Sequence, residues 1–563
     1  MKKLTHAPVL LFTITCLGIF GSCKSKTRIP TAEAINAINL KRGAVISCGP
    51  PGLELGSVDF EFPGGEKVKN DFNLAVKLLH SFEYDEAEKV FARIIDAQPG
   101  FAMAYWGVAM SNFHPLWSPP SAAELKKGAA ALDIAASITG KSKREEAYIN
   151  AVAAFYKDRD KTPHRNRCLR FEKAMEELYT TYPAEKEAAI FYALALTAAA
   201  DPADKTFAKQ KKAGAILNAL YRAEPNHPGI VHYIIHTFDS PELAELALPA
   251  AKQYASVAPS SAHALHMPSH IFTRLGLWNE SINSNLASVA SAQCYAEAAG
   301  MKGHWDEEIH GLDYLVYAYL QKGENGLAKK QWDYLRSMKA ISPFNFKVAY
   351  AYASIPARYL LENKLWKEAA GLTIQKDNFP LDNFPWEKAI VHFTRLLGAV
   401  HLDDLAAANM ELKALNDIHT KLTEQKDSYK ANQVLIQIKA SEAWIKLMEG
   451  KKDEALQLMQ IAADMEDKTE KHPVTPGEVI PARELLGDMF LQMNKPANAL
   501  EAYELDLKKH PNRFNGLNGA AVSAAASGQP EKAKNFYRQL LNSAGSPGSE
   551  RTELETARLY LKN

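Results

Sequence analysis

The sequence predicts an all-α protein in which antiparallel helix pairs stack into a superhelix, preceded by a short irregular N-terminal linker. Three observations indicate this fold class. Small and aromatic residues recur 34 residues apart in the last third of the chain. Alanine-rich segments such as residues 189–200 strongly favour helix. Strand patterns are almost absent outside residues 44–66, where prolines and glycines indicate an extended linker or a small hairpin.

The first 22 residues have the features of a lipoprotein signal peptide. Two lysines open the segment, and residues 9–20 form an apolar stretch that is too short to span a bilayer. Small residues then precede Cys23, as in the lipobox of bacterial lipoproteins, although Phe20 departs from the usual leucine. We therefore expect Cys23 to be lipidated and residues 23–66 to form a lipid-anchored linker. The protein would be exported and membrane-anchored, facing the periplasm from the outer membrane; an ordinary cleaved secretion signal is the alternative.

The charge balance argues against a nucleic-acid partner. The chain has 66 basic and 65 acidic side chains, and removal of the signal peptide's two lysines leaves 64 basic ones. A nearly neutral chain gives no basic surface for nucleic acid or for a charged membrane face. The remaining cysteines, Cys48, Cys168 and Cys294, are too few and too widely spaced for a disulfide framework, although export would permit one bridge.

A repeat of 34 residues is clearest within residues 341–545. Three pairs of identical residues have this spacing: Ala499 and Ala533, Tyr503 and Tyr537, and Pro496 and Pro530. This is the tetratricopeptide (TPR) pattern, in which small residues let two helices approach closely and aromatic residues fill the space to the next pair. We expect TPR repeats over residues 341–545 and a helix or tail over 546–563.

Residues 67–340 are predicted to hold earlier helix pairs of the same type. Tyr84, Ala87 and Phe91 fit one unit, and Trp278 marks another in which Asn285 replaces the expected aromatic residue. Between two C-terminal units an insertion contains residues 470–477, whose two prolines and glycine predict a defined loop.

Histidines gather in three blocks of the N-terminal repeats. Eight of the 17 histidines lie within residues 227–310, in segments 227–239, 263–270 and 304–313. Histidine is the commonest metal ligand and the usual acid–base group near neutral pH. Such a gathering in a helical protein predicts either a functional site or a network of polar side chains that fixes helix packing.

The first block has the spacing of a metal site. His232, His236 and Asp239 project from one helical face, and two histidines one turn apart are a common first half of a zinc site. The predicted cofactor is therefore zinc or another divalent transition metal. Tyr233 stands where a metalloprotease motif needs glutamate, which disfavours a protease. His80 lies beside aromatic residues and is predicted to be a packing residue.

The other blocks supply further candidates. Pro268 fits the first turn of a helix, which places His266 just before it and His270 within its first turn. The positive end of the helix dipole favours neutral imidazole there. The candidate metal-binding or polar-site residues are His232, His236, Asp239, His266, His270, His304, His310 and Asp313, with Arg274 and His472 in support.

A formed site requires the three blocks to meet in space. Residues 227–310 span only two or three helix pairs, and in a superhelix neighbouring pairs touch whereas distant ones do not. We therefore expect nitrogens of His232, His236 and His270 to lie within about 10 Å of one another, together with His310 or Asp313.

A family resemblance covers most of the mature chain. The segments that carry it are residues 104–110, 227–239, 263–278, 313–321, 470–477 and 481–488. In these segments the sequence resembles a family of exported bacterial TPR lipoproteins without an assigned activity. The resemblance implies a TPR fold and export, and it implies no particular chemistry.

These features favour a lipid-anchored TPR scaffold that binds a protein or peptide along its concave face. The alternative is a metal-dependent, hydrolase-like enzyme that uses the histidines and aspartates of residues 227–313. A third hypothesis is a glycan-binding outer-membrane lipoprotein, but such proteins normally present aromatic residues on long loops, and long loops are few in this sequence.

Overall fold

The computed structural model describes Met1 and residues 29–562, except residues 51, 117–118, 375–379, 546–548 and 550. Cys23, the predicted lipidation site, lies outside the described residues. Among the described residues, no helix is both long enough and apolar enough to cross a membrane.

The described chain is helical almost throughout. Its α-helices, numbered α1 to α27 in chain order, are Ala32–Ala37, Lys69–His80, Tyr84–Ala97, Ala102–Ser111, Ala122–Ser137, Lys143–Tyr156, His164–Thr181, Lys186–Ala198, Ala208–Tyr221, Pro228–Thr237, Ala244–Val257, Ala262–His266, Pro268–Arg274, Trp278–Ala298, Asp306–Gln321, Asn325–Ser337, Phe346–Glu362, Trp366–Ala370, Pro385–His401, Leu405–Glu424, Ser428–Met448, Lys452–Asp467, Ala482–Gln492, Pro496–Lys509, Phe514–Ala526, Pro530–Ala544 and Thr552–Lys562. Short 3₁₀ helices span Glu66–Val68 and Leu381–Asn383. The strands β1 (His304–Trp305) and β2 (Ile341–Ser342) pair in parallel.

Successive helices pack as hairpins, and each hairpin packs on the next. The pairs α2 with α3, α15 with α16, α21 with α22, and α23 with α24 follow this scheme. The predicted all-α, TPR-type superhelix is confirmed. The division of the repeats near residue 340 stays a prediction.

Small residues lie where helices approach most closely. Gly487 on α23 and Gly519 on α25 face the ring of Tyr503 on α24 from opposite neighbours, and an added Cβ would lie 2.7 Å and 2.3 Å from that ring. Pro496 and Pro530 begin α24 and α26, where a missing N–H costs no hydrogen bond. The 34-residue spacing thus reflects the close packing of helices where they cross.

The irregular N-terminal segment is attached to the helices. Phe60 and Phe62 are buried in the core of the N-terminal repeats. Cys48 forms a disulfide with Cys294 on α14, 246 residues away, a single bridge of the kind that export would permit. Residues 38–65 run without a hairpin in their described part, so the extended alternative is the one found.

The insertion between α22 and α23 forms a loop over residues 468–481 that reaches the N-terminal repeats. The ammonium of Lys471 lies 3.5 Å from the Asp239 carboxylate. The Thr475 carbonyl accepts a hydrogen bond from Tyr314, and the Gly477 carbonyl accepts one from Arg358. The expectation that distant units do not touch is therefore wrong here, because an inserted loop spans the distance between them.

Candidate metal centre

Three helical segments bring six histidines together in two groups of three. Within each group, one ligand nitrogen of every side chain lies within 4.8 Å of the others. The inner histidine group is fully buried and consists of His266, His270 and His310. The outer histidine group consists of His232, which is buried, and of the half-buried His236 and His263.

Local sequence explains how the inner group forms. Ser261 caps α12 by accepting a hydrogen bond from the Ala264 N–H, and α12 ends at His266. Pro268 then begins α13, so the chain stays in tight helical turns and His270 falls in the first turn of α13. His310 comes from α15, which packs against α12.

The inner group has a close contact between two imidazoles. The Nε2 atoms of His266 and His270 are 3.1 Å apart. The ring of His310 lies 4.2 Å from that of His266, measured between centroids. Three nitrogens therefore face a common point in the buried interior.

Neighbouring acceptors fix the tautomers of His266 and His270. The Nδ1–H of His266 donates to the Asn285 side-chain oxygen at 2.7 Å, and Asn285 is oriented by its own amide donating to the Ser281 carbonyl. The Nδ1–H of His270 donates to the Asp239 carboxylate at 3.0 Å. Because a neutral imidazole carries one proton, both Nε2 atoms then carry lone pairs, and the Tyr314 hydroxyl lies 3.4 Å from the Nε2 of His270.

The outer group is arranged in a related way. The Nδ1–H of His232 donates to the backbone carbonyl of His80 at 2.5 Å, which leaves its Nε2 as the lone-pair nitrogen. That atom lies 2.9 Å from the Nε2 of His236. The ring of His263 is 5.1 Å from that of His232, between centroids.

Asp239 and Arg274 hold the inner group in position through the His270 ring. The Arg274 guanidinium donates to both the carboxylate and the backbone carbonyl of Asp239, at 2.9 and 3.0 Å. Burial opposes the charge on Asp239, yet Lys471 and Arg274 hold the pKa of its carboxyl well below the usual range. Asp239 therefore stays ionised and orients the His270 ring, and it does not face the three nitrogens itself.

The histidines of both groups are held neutral. Burial lowers the pKa of His232, His236, His266 and His310 well below the usual value, and nearby histidines lower it further. Burial likewise lowers the pKa of His263 to about 3. Neutral imidazole is the form that binds metal.

Besides Asp239 and Arg274, three sequence candidates lie outside the two groups. His304 on β1 bonds to Glu308 one helical turn away. Asp313 forms a buried ion pair with Arg358 on α17 and accepts a hydrogen bond from Ser354, so its charge is already neutralised. His472 packs against the rings of Phe346, Trp386 and Tyr429, and its Nδ1 accepts a hydrogen bond from the Val474 N–H.

A third cluster, which we call the salt-bridge group, contains His80, Glu187 and His227. The Glu187 carboxylate lies between the two imidazoles, 2.9 Å from His80 Nε2 and 2.8 Å from His227 Nε2. The other ring nitrogen of His80 bonds to the Tyr233 hydroxyl. The prediction that His80 only packs was incomplete, since its ring stacks on Phe191 and also joins this polar cluster.

Sequence reasoning missed several members of the centre. His263 lies one turn before His266, a spacing that was available as a signal. Asn285 was visible as the residue that breaks the repeat pattern, and its bond to His266 is the reason for that departure. The His80 carbonyl and Lys471 come from distant segments, for which the sequence contains no local signal.

No family model matches this chain, and no curated protein is similar to it in sequence. Solved structures that it resembles include the TPR domain of P58(IPK), at 14% identity over 67% of this chain and 98% of that one, with a TM-score of 0.19. A tetratricopeptide repeat protein from Parabacteroides merdae gives 12% identity over 74% and 98%, with a TM-score of 0.21. The Cut9–Hcn1 hetero-tetramer of APC/C gives 12% identity over 86% and 95%, with a TM-score of 0.26. The helix pairs described above, and not these superpositions, define the fold.

Proposed function

We propose that this chain is an exported, lipid-anchored helical-repeat protein that binds a divalent transition metal ion at the inner histidine group. The observation that carries this proposal is the 3.1 Å contact between the Nε2 atoms of His266 and His270, both of which present lone pairs. Two lone pairs at that distance repel each other unless a cation lies close to both of them.

A metal ion suits this position better than a proton does. A proton on either ring would create a buried imidazolium, which burial disfavours at both His266 and His270, although Asp239 favours it at His270. Tetrahedral zinc with Zn–N bonds of 2.0–2.1 Å places its ligand nitrogens about 3.3 Å apart, close to the contact found. An all-imidazole set of ligands suits zinc, copper, nickel or iron, and disfavours magnesium and calcium.

The number of protein ligands bears on reactivity. Three histidines leave one coordination position for water or substrate, as in catalytic zinc sites. A bound ion would supply Lewis acidity and an activated water, which is the basis of the metal-dependent, hydrolase-like alternative. The protein's own contribution is to hold three neutral nitrogens in place through Asn285 and Asp239.

Metal analysis of protein purified without a histidine tag tests this proposal. We expect bound zinc or a similar metal, at least one equivalent per chain, and its loss in His266→Gln and His270→Gln. His304→Gln is the matched control, since that residue lies in the same sequence region but outside both histidine groups. Circular dichroism checks that each variant remains helical. Protein that stays metal-free after dialysis against zinc would refute the proposal.

Anchoring is tested separately. If Cys23 carries lipid, the protein should fractionate with membranes, and Cys23→Ala should weaken that association or block processing. Normal processing and unchanged membrane association of the variant would contradict lipidation.

The repeat architecture supports a second role, as a scaffold for protein interaction. The proposed partner is a protein or peptide bound along the concave face of the repeats. Because that surface is formed by helices and not by the histidines, His270→Gln should retain a partner that the wild-type protein binds. Loss of partner binding in this variant would connect binding to the metal centre and contradict an independent scaffold role.

A further inference from the structure

We propose that the outer histidine group binds a second metal ion, so that the six histidines form a centre of two ions. This inference rests on the proposed function of the inner group. It predicts two equivalents of metal per chain, one at each histidine group.

The outer group has the features of a separate binding position. His232 is oriented by the His80 carbonyl so that its Nε2 lone pair faces inward. The Nε2 of His236 lies 2.9 Å from that atom, and His263 completes the set within 4.8 Å. Orientation of one ring nitrogen by a backbone carbonyl while the other faces a common point is the usual arrangement of a metal-binding histidine.

One ion shared by all six side chains does not fit this arrangement. Each group is centred on its own Nε2 pair, His232 with His236 and His266 with His270. The rings of His236 and His270, one from each group, are 6.4 Å apart, measured between their centroids. Since each neutral imidazole offers one lone pair, a nitrogen engaged at one centre is not available to the other.

The two positions differ in exposure. All members of the inner group are buried, with His310 the most accessible at 7%. His232 of the outer group is also buried, whereas His236 and His263 are half-buried.

The salt-bridge group is not the second position. The Glu187 carboxylate already lies between His80 and His227 and accepts from both rings. Both Nε2 atoms are therefore already engaged by a carboxylate, whereas the outer group contains no carboxylate.

Metal stoichiometry tests the inference. Wild-type protein is stripped with a chelator, dialysed against zinc and analysed for metal, and the same is done for His236→Gln and His310→Gln. We expect two equivalents in the wild type and half that amount in either variant. His304→Gln and His227→Gln serve as controls outside both groups and should keep two equivalents.

The outcomes separate the two proposals. No bound zinc in the wild type would overturn the proposed function and this inference together. One equivalent, lost in His310→Gln and kept in His236→Gln, would leave the proposed function intact and overturn the second ion. Two equivalents with one lost in His227→Gln would assign the second ion to the salt-bridge group and overturn its placement at the outer histidine group.

If circular dichroism shows that a variant has unfolded, titration of the wild type with Co²⁺ decides how many ions bind. An absorbance end point at two equivalents supports the inference, and one at a single equivalent contradicts it.

Discussion

Asn285 determines which nitrogen of His266 is available for binding. Its side-chain oxygen accepts the Nδ1–H of His266, while its amide is held by the Ser281 carbonyl. The amide can therefore not rotate to offer a donor instead. Groups that orient a metal-binding histidine in this way contribute substantially to metal affinity.

Replacing Asn285 with alanine should weaken metal binding without removing a ligand. The His266 ring would lose its acceptor and would be free to carry its proton on Nε2. We expect affinity to fall about 10–100-fold in competition with a chromogenic chelator. Asn409→Ala is the matched control, because Asn409 also donates to the carbonyl four residues earlier, on the exposed helix α20. Equal affinity in both variants would exclude this role for Asn285.

Individual residues also mark the limit of sequence reasoning. The histidine blocks were recognisable from composition and helical spacing, and the repeat break at Asn285 was visible. Asp313 shares a helical face with His310, but its environment is set by Arg358 on a helix that follows 45 residues later. Spacing along one helix predicts which side chains point the same way. It does not predict which side chains of the neighbouring helix they contact.

At the scale of the element, helix crossings depend on glycine. Gly487 on α23 lies against Tyr503 on α24, and the Tyr503 hydroxyl donates to Asp488 beside it. The sequence predicted these hairpins well because close approach of two helices restricts residue size at fixed intervals. The 468–481 loop obeys no such interval, so its path to the N-terminal repeats was not predictable.

Gly487→Ala should destabilise the C-terminal repeats. The added Cβ would lie 2.7 Å from the Tyr503 ring, and the helices would have to separate. Overpacking of this kind costs about 1–3 kcal/mol in the free energy of unfolding, measured by urea denaturation. Gly371→Ala is the control, since its nearest neighbour outside the adjacent residues would lie 3.7 Å from the new Cβ. A similar unfolding free energy for both variants would contradict close packing at Gly487.

At the scale of the whole molecule, the Cys48–Cys294 disulfide joins the N-terminal segment to α14. It closes a loop with a sequence separation of 246, within which the two histidine groups lie except for His310. A covalent link across so much chain restricts the unfolded state strongly.

Removal of both cysteines, Cys48→Ala with Cys294→Ala, should lower the free energy of unfolding by about 2–5 kcal/mol. Reductant provides the internal control. It should shift the urea midpoint of the wild-type protein toward that of the double variant and leave the double variant unchanged. A wild-type midpoint that does not respond to reductant would indicate that the bridge contributes nothing to stability.

The loop over residues 468–481 has a mechanical consequence. An open stack of helix pairs extends under tension like a spring, because each pair touches only its neighbours. Here Lys471 contacts Asp239, and the Thr475 carbonyl accepts a hydrogen bond from Tyr314. The Trp278 indole also donates to the Asn512 carbonyl, which again joins the N-terminal to the C-terminal repeats. Force applied to the two ends of the chain would load these contacts before the hairpins open. The molecule should therefore resist stretching until these contacts break, and extend as a spring only afterwards.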